Sequence, residues 1–463
     1  MFDVVVIGGG PAGYVAAVRL AQHGLKVALI ERRYLGGECT NWGCIPSKAL
    51  IEVSRAVTAI KHSVRAGIEV EVKGLDSGKL MRWVRKAVVR SREGVRYLLS
   101  EVKLYEGVGR VKSPKEVIVE SRSGRLRLET EYVVIATGTE PAAVPGLKFD
   151  GERVISNRDF FELDELPSSV LIIGAGAIGT ELGAALANLG VEVHIVEIKD
   201  RPLPDLDPEV SGIVAKYLRR AGVNLMLSSI VKGVEARDGS VVAKVATRRE
   251  VIEVPVDKVL IAAGRRYNVE GLGAWEVGVE IGPRGCIRVN EVMRTSVPNI
   301  YAVGDITGPP LLAHKAFREG LIAAEAIAGG RPPPRCPVPE VIYTTPEVAR
   351  VGLTEVKASE AGLPIRVVRF PYTAVPRDYT SLSRTPEGFV KLIVDRGSGK
   401  VLGATVVGNS ASELIHSLCI AVANGLSLED LARASYPHPT FSEAIGEAAH
   451  LGLGRPVHLK GRT

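Results

Sequence analysis

A supersecondary unit that occurs twice constrains the fold of this chain more than any other feature. Each copy reads as an apolar strand, a glycine-rich turn, a helix and a second strand that ends in a glutamate. Gly10 to Glu31 and Gly176 to Glu197 both span 21 residues, so the internal spacing of the two copies is identical. Two complete units of this kind predict an α/β protein with two Rossmann-like dinucleotide-binding domains.

Both turns carry the residues that dinucleotide binding requires. The first glycine permits a positive φ, and the second removes a side chain where the pyrophosphate approaches. The helix that follows directs its free amide groups and the positive end of its dipole at the phosphates, and the glutamate can accept hydrogen bonds from ribose hydroxyls. The predicted binding residues are Gly8, Gly10, Gly13 and Glu31 in the first unit and Gly174, Gly176, Gly179 and Glu197 in the second.

Two dinucleotide sites in one chain predict two cofactors, a bound flavin and an exchangeable nicotinamide. The carboxylate of Glu197 would repel the additional phosphate of NADP, so the sequence favours NAD. Lys199 and Arg201 follow closely and could weaken that preference.

Cys39 and Cys44 are the only two of the five cysteines that lie close together in the sequence. Residues five apart on an ideal helix lie on different faces, so a disulfide between them needs an irregular turn, which Gly43 can supply. We expect a helix to begin near Pro46, with its N-terminus stabilising a thiolate on Cys44. Taken alone, the pair could equally be two buried structural cysteines. The flanking glycines and the preceding dinucleotide unit favour a redox-active pair.

His438 is the candidate acid–base residue. Pro437 and Pro439 restrict the backbone on both sides, and Glu443 lies close enough in sequence to hold the imidazole in one tautomer. A histidine of this kind can equally be a packed or surface residue, but thiol chemistry needs a base.

Charge and composition exclude several classes of function. The net charge is +7, but lysine and arginine are spread along the chain without a basic run, so we predict no nucleic-acid partner. No apolar stretch is long enough for a membrane span, and the apolar start lacks the basic region of a signal peptide, so we expect a cytoplasmic protein. No histidine, cysteine and aspartate cluster has metal-ligand spacing, so we predict no metal.

Several motifs together resemble the pyridine-nucleotide disulfide oxidoreductase family, and within it the branch that oxidises dihydrolipoamide. The resemblance covers essentially the whole chain from Gly8 to Glu443. Its most specific parts are Gly-Gly-x-Cys-x-Asn-x-Gly-Cys-Ile-Pro-Ser-Lys at 36–48 and His-Pro-Thr-x-x-Glu at 438–443. Further matches are Ala-Thr-Gly at 136–138, Gly-Arg-Arg at 264–266, Tyr-Ala-Val-Gly-Asp at 301–305, Leu-Ala-His at 312–314 and Tyr-Thr-Thr-Pro-Glu at 343–347.

The resemblance implies an FAD domain from residues 1–144 and 265–335, an NAD domain at 145–264 and an α+β dimerisation domain at 336–463. A proline-rich linker at 331–334 agrees with the last boundary. The implied FAD contacts also include Gly37, Lys48, Thr137, Gly138, Asp305 and Ala313, and Gly264 is assigned to the NAD site. Cys39 would exchange with substrate and Cys44 would contact the flavin, with Lys48 paired to Glu181 and His438 acting as the base held by Glu443.

By this resemblance the reaction is dihydrolipoamide plus NAD+ to lipoamide plus NADH, in a homodimer with one non-covalent FAD per chain. A lipoyl domain of a 2-oxoacid dehydrogenase or glycine cleavage complex is the implied partner. Two alternatives are an NAD(P)H-dependent reductase of another small disulfide and a non-catalytic docking subunit. Relatives of the implied branch usually have a histidine where this chain has Tyr436, and NADP-using relatives have arginines where it has Ile198 and Pro204.

Overall fold

A computed structural model describes residues 1–237 and 240–460. Its α-helices are, in chain order, α1 (Pro11–Gln22), α2 (Gly37–Trp42), α3 (Cys44–Ser63), α4 (Ser77–Leu98), α5 (Asn157–Glu162), α6 (Ala177–Asn188), α7 (Pro208–Arg220), α8 (Ala313–Ile327), α9 (Glu355–Glu360), α10 (Pro376–Tyr379), α11 (Ala411–Ala423), α12 (Leu428–Ala432) and α13 (Glu443–Gly452). Short 3-10 helices lie at Val64–Ala66, Trp275–Val277, Gly304–Thr307 and Tyr372–Ala374.

The strands are β1 (Phe2–Ile7), β2 (Val27–Glu31), β3 (Lys103–Glu106), β4 (Val108–Ser113), β5 (Glu116–Ser121), β6 (Gly124–Ile135), β7 (Thr139–Pro141), β8 (Val154–Ile155), β9 (Ser169–Ile173), β10 (Glu192–Glu197), β11 (Asn224–Leu227), β12 (Ile230–Arg237), β13 (Ser240–Ala246), β14 (Val251–Val256), β15 (Lys258–Ile261), β16 (Arg265–Tyr267), β17 (Ile300–Ala302), β18 (Glu340–Ile342), β19 (Val348–Gly352), β20 (Ile365–Pro371), β21 (Phe389–Asp395) and β22 (Val401–Val407).

The first repeat unit lies at the centre of a seven-stranded sheet with the order β3-β2-β1-β6-β5-β4. β1 pairs in parallel with both β2 and β6, and β17 returns to pair in parallel with the end of β6. Strands buried on both faces read as continuous apolar runs, and Val4, Val5 and Val6 of β1 are completely buried. This arrangement brings the turn after β1 next to the end of β6, where residues 136–138 follow.

The second repeat unit forms a parallel five-stranded sheet with the order β11-β10-β9-β15-β8. A three-stranded antiparallel sheet, β12-β13-β14, and the antiparallel pair of β7 and β16 accompany it. The strands β8 to β15 all lie between residues 145 and 264. The predicted α/β class with two Rossmann-like sheets is confirmed, while the domain limits stay predictions.

The C-terminal part has an antiparallel sheet with the order β18-β19-β22-β21-β20, packed against α11 and α13. The predicted linker at 331–334 lies in a stretch, 331–339, without helix or strand. The sequence predicts a strand at Phe2–Ile7 and a helix at Ala411–Ala423, and β1 and α11 have these bounds. The sequence from Ser54 to Arg96 is predicted to be mainly helical, but the structure interrupts it, because α3 is followed by a short 3-10 turn and a loop. Asp76 then caps α4 by accepting from the Lys79 amide at 2.8 Å. None of the helices in residues 1–237 and 240–460 is both long and apolar enough to cross a membrane.

Candidate active site

The two clustered cysteines lie on either side of a break between two helices. Cys39 is in α2, Cys44 is the first residue of α3, and both are free thiols in this structure. Gly43 makes the break with φ −126° and ψ −106°, and a Cβ there would lie 3.0 Å from the Glu38 carbonyl oxygen. The irregular turn was therefore predicted correctly, but α3 begins at Cys44 instead of near Pro46, so the first turn of a 20-residue helix includes Cys44 itself.

The surroundings of the two thiols separate their ionisation. A hydrogen bond from the Cys39 thiol lowers the pKa of Cys44, and the nearby Lys48 ammonium lowers it further against the opposing effect of burial. The same hydrogen bond, together with burial, raises the pKa of Cys39. Cys44 is therefore the more acidic thiol of the pair, at a helix N-terminus whose dipole also favours negative charge.

Lys48 joins this turn to the second dinucleotide unit. Its ammonium donates to Glu181 of α6 at 2.8 Å, and it also lies 4.4 Å from the centroid of the Tyr343 ring. The Tyr343 amide donates to the other Glu181 oxygen at 2.9 Å. The pair that the resemblance implied is therefore present, and it connects α3, α6 and the segment before β19.

The first glycine turn has the shape that a dinucleotide requires. Gly8 has φ +105°, and a Cβ there would lie 2.3 Å from the Ala136 carbonyl oxygen. A Cβ on Gly13 would lie 1.8 Å from the Gly8 carbonyl oxygen, so this glycine lets the helix pack on the strand. A Cβ on Gly10 would instead meet only Gly37, at 3.8 Å. Gly10 therefore borders open space, where a pyrophosphate can approach the backbone.

That space is a cavity of about 470 Å³. It is lined by most residues that the sequence assigned to FAD and by the candidate redox residues, namely Gly8, Gly10, Glu31, Gly37, Cys39, Cys44, Lys48, Thr137, Gly138, Glu181, Asp305 and Ala313. Ala313 begins α8, so the amide end of that helix borders the cavity. Asp305 accepts a hydrogen bond from the Thr139 hydroxyl at 2.9 Å. These donors and acceptors fit the phosphates and hydroxyls of FAD.

The second glycine turn repeats the geometry of the first. A Cβ on Gly179 would lie 1.9 Å from the Gly174 carbonyl oxygen, whereas a Cβ on Gly176 would meet nothing within 4 Å. The Glu197 carboxylate accepts from the amides of Ala175 at 2.7 Å and Lys199 at 2.9 Å.

The two glycine turns are alike in the hydrogen bonds of their glutamates and in their position beside the cavity. Glu31 makes the matching bond to the Gly9 amide at 2.7 Å, so both glutamates are fixed beside their turns and keep lone pairs for a ribose. The start of α6 borders the same cavity. Gly264 has φ +157° and open space around it.

His438 and Glu443 form a pair away from that cavity. His438 Nδ1 lies 2.8 Å from a Glu443 oxygen, and the Thr440 amide donates to the other oxygen at 2.8 Å. Burial opposes ionisation of Glu443, but these hydrogen bonds hold its pKa below the ordinary value. The His438 side chain is 67% exposed and lies outside the cavity lining of this single chain. Tyr436 donates to the Leu431 carbonyl oxygen at 2.9 Å, so it has a structural partner of its own.

Sequence reasoning assigned no role to three further residues that line the cavity. Glu38 pairs with Arg158 of α5 and with Arg265 of β16, the latter at 2.9 Å. Arg158 is 120 positions from Glu38 and belongs to no motif. Glu38 and Arg265 lie inside the motifs at 36–48 and 264–266, and this position was the only sequence signal that could have identified them.

Comparison with known proteins agrees with this geometry. The family model described as pyridine nucleotide-disulphide oxidoreductase matches residues 2–320, and the dimerisation domain model of that family matches residues 338–449. The chain is 41% identical to a dihydrolipoyl dehydrogenase of Bacillus subtilis, covering 99% of this chain and 97% of that protein. It is 40% identical to the Thermus scotoductus dihydrolipoyl dehydrogenase, covering 100% of this chain and 99% of that protein.

Solved structures show the same likeness. LpdA from Mycobacterium tuberculosis superposes with a TM-score of 0.90 at 29% identity, covering 97% of this chain and 99% of that one. The HOCl-induced flavoprotein disulfide reductase RclA from Escherichia coli superposes with a TM-score of 0.85 at 28% identity, covering 97% of this chain and 100% of that one. The chain belongs to the pyridine nucleotide-disulphide oxidoreductase family.

Proposed function

We propose that this chain is a cytoplasmic dihydrolipoyl dehydrogenase, which oxidises a dihydrolipoyl dithiol to its disulfide and passes two electrons to NAD+. The observation that carries the proposal is the Cys39–Cys44 turn, in which Cys44 has the lower pKa, at the wall of a cavity formed by a dinucleotide-binding unit. The full-length relatives named dihydrolipoyl dehydrogenase support the choice of substrate.

Thiol–disulfide exchange accounts for the first half of the reaction. One substrate thiolate attacks the Cys39 sulfur of the oxidised pair, and the Cys39–Cys44 bond breaks with Cys44 leaving as a thiolate. The second substrate thiolate then attacks the substrate sulfur that is bonded to Cys39 in the mixed disulfide. This step releases the Cys39 thiolate and the cyclic disulfide product. Two electrons have moved from the dithiol to the cysteine pair. Cys44 suits the role of leaving group because its pKa is the lower of the two.

We propose that FAD occupies the cavity, non-covalently and once per chain, held by the glycine turn, Glu31, Asp305 and the start of α8. When bound, it supplies a two-electron relay between the cysteine pair and NAD+, which leaves as NADH with release of a proton. Lys48, held by Glu181, keeps a positive charge beside the Cys44 thiolate. The FAD domain is then 1–144 and 265–335, and the NAD domain is 145–264.

We place the acid–base residue on a second copy of the chain. His438 is exposed and outside the cavity of its own subunit, while residues 338–449 match a dimerisation domain. In a homodimer built through residues 336–463, His438 of the partner subunit can face Cys39. It would take a proton from the substrate dithiol, with Glu443 stabilising the imidazolium that forms.

Glu197 and Ile198 support NAD over NADP, because the buried carboxylate would oppose an added phosphate and the next residue offers no cation. A lipoyl domain of a 2-oxoacid dehydrogenase or glycine cleavage complex is the partner that fits this substrate.

Steady-state kinetics with dihydrolipoamide and NAD+, and with NADH against a panel of small disulfides, tests the proposal. We expect the kcat/KM for dihydrolipoamide oxidation with NAD+ to be higher than the kcat/KM for reduction of any of the small disulfides with NADH. Faster reduction of another disulfide would instead support the reductase alternative. The structural likeness to RclA, a flavoprotein disulfide reductase, is the observation that favours this alternative. Absence of turnover in every assay would point to a docking subunit.

A further inference from the structure

The turn that carries the cysteines is fastened to α5 by contacts outside the proposed exchange chemistry. The Trp42 indole donates to Glu162 at 2.8 Å, and the Asn157 side chain donates to the Trp42 carbonyl oxygen at 2.8 Å. Arg158 pairs with Glu38, the residue directly before Cys39. α5 therefore contacts the chain on both sides of Cys39, at Glu38 and at Trp42.

Glu38 differs from the other contacts because two cations converge on it. Besides Arg158, the Arg265 guanidinium donates to the Glu38 carboxylate at 2.9 Å. The side-chain amide of Asn157 also donates to this carboxylate, at 3.4 Å. The three charged side chains are between 15% and 21% exposed. Arg158 has a second carboxylate, Glu140, at 3.8 Å. Within the described ranges, Arg265 has no carboxylate other than that of Glu38 within 4 Å.

The same network continues to the proposed cofactor site. Arg265 donates to the Thr139 hydroxyl at 2.7 Å, and that hydroxyl donates to Asp305 at 2.9 Å. A continuous chain of hydrogen bonds thus runs from the residue before Cys39 to the carboxylate on the cavity wall. Glu38 itself directly precedes Cys39 and is largely buried, so its charge acts on the cysteine pair with reduced screening by water.

We propose that Glu38 is a positioning residue that sets the charge balance of the redox centre and keeps the Cys39–Cys44 couple strongly reducing. This inference rests on the proposed function. Reduction of the disulfide takes up two electrons and one proton to give the Cys39 thiol and the Cys44 thiolate. An uncompensated guanidinium nearby would stabilise that negative charge and so favour reduction, and the Glu38 carboxylate removes this bias.

The experiment is a thiol–disulfide titration of the purified protein in buffers of reduced and oxidised dithiothreitol. Free thiols are trapped by alkylation, and the peptides with Cys39 and Cys44 are quantified by mass spectrometry, so the readout does not depend on turnover. Removal of one negative charge at about 10 Å from the cysteine pair changes the equilibrium constant for its reduction by about tenfold. Glu38→Gln, which keeps the shape but loses the charge, should raise the equilibrium constant for reduction by about tenfold, or about 30 mV for two electrons.

Three variants separate charge balance from simple support of the turn. Arg158→Gln removes a cation and should shift the equilibrium in the opposite direction, by a similar factor. Trp42→Phe removes the indole donor to Glu162 without changing any charge and should leave the equilibrium unchanged. Glu38→Asp keeps the charge and should stay close to the parent protein.

Equal shifts in Glu38→Gln and Trp42→Phe would overturn the role of Glu38 alone. Shifts of one sign in Glu38→Gln and Arg158→Gln would do the same. If Glu38→Gln does not fold, the sign of the Arg158→Gln shift decides. A parent pair that titrates in no buffer would overturn the proposed function as well.

Discussion

Replacement of Lys48 by methionine should raise the pKa of Cys44 by about one to two units. Lys48 lies four residues after Cys44 on α3, so the two side chains are about 6 Å apart. A unit charge at that distance contributes about 3 kcal/mol at an effective dielectric constant of 20, or about 2 pKa units. The Lys48 side chain is 36% exposed, and screening by solvent reduces this to about one unit. Loss of Lys48 also leaves Glu181 without its cation, and that charge acts in the same direction.

The assay is the rate of Cys44 alkylation as a function of pH in a Cys39→Ser background, where the serine hydroxyl can still donate to the Cys44 sulfur. The thiolate forms as the pH rises through the pKa, so the rate curve should move to higher pH when Lys48 is removed. Lys61→Met, an exposed lysine on the same helix, is the matched control and should leave the curve in place. An unchanged curve in Lys48→Met would refute the electrostatic account of the thiolate.

Three further predictions concern the cofactors and the base. Glu197→Ala combined with Ile198→Arg should shift the preference in kcat/KM toward NADP by about 1–3 kcal/mol, the scale of a charged hydrogen bond, and an unchanged ratio would contradict the assignment. His438→Gln should lower dihydrolipoamide turnover by about 10²–10⁴-fold while NADH reduces the flavin at the normal rate, and loss of both would contradict a role limited to the base. Gly10→Val should fold with an unchanged circular dichroism spectrum but bind no FAD, whereas full FAD occupancy would contradict the assignment of the FAD site to the first glycine turn.

The strongest local signals in the sequence predicted the fold well. The bounds of β1 and α11 agree with the structure because apolar runs and turn residues mark their ends. The break at Gly43 was also predictable, since a pair of cysteines five residues apart cannot meet on a regular helix. The start of α3 was placed two residues late, because Pro46 is favourable in a first turn but does not define its first residue.

Contacts between distant segments could not be predicted in the same way. Arg158 and Asn157 reach the cysteine turn across about 120 positions and belong to no motif, so no local pattern identifies them. The pairing of Lys48 with Glu181 entered only through resemblance to a family, and the structure shows it at 2.8 Å. In the proposed homodimer, the position of His438 relative to Cys39 depends on a second subunit, which no single chain can specify.

The most direct test of the central proposal is a single turnover without NAD+. Oxidised protein is mixed with dihydrolipoamide under anaerobic conditions, thiols are alkylated, and each cysteine is quantified. We expect Cys39 and Cys44 to become modifiable as one lipoamide forms per chain, with Cys286, Cys336 and Cys419 unchanged. Lipoamide formed without a change at Cys39 and Cys44, or formed equally well by Cys44→Ser protein, would contradict the account.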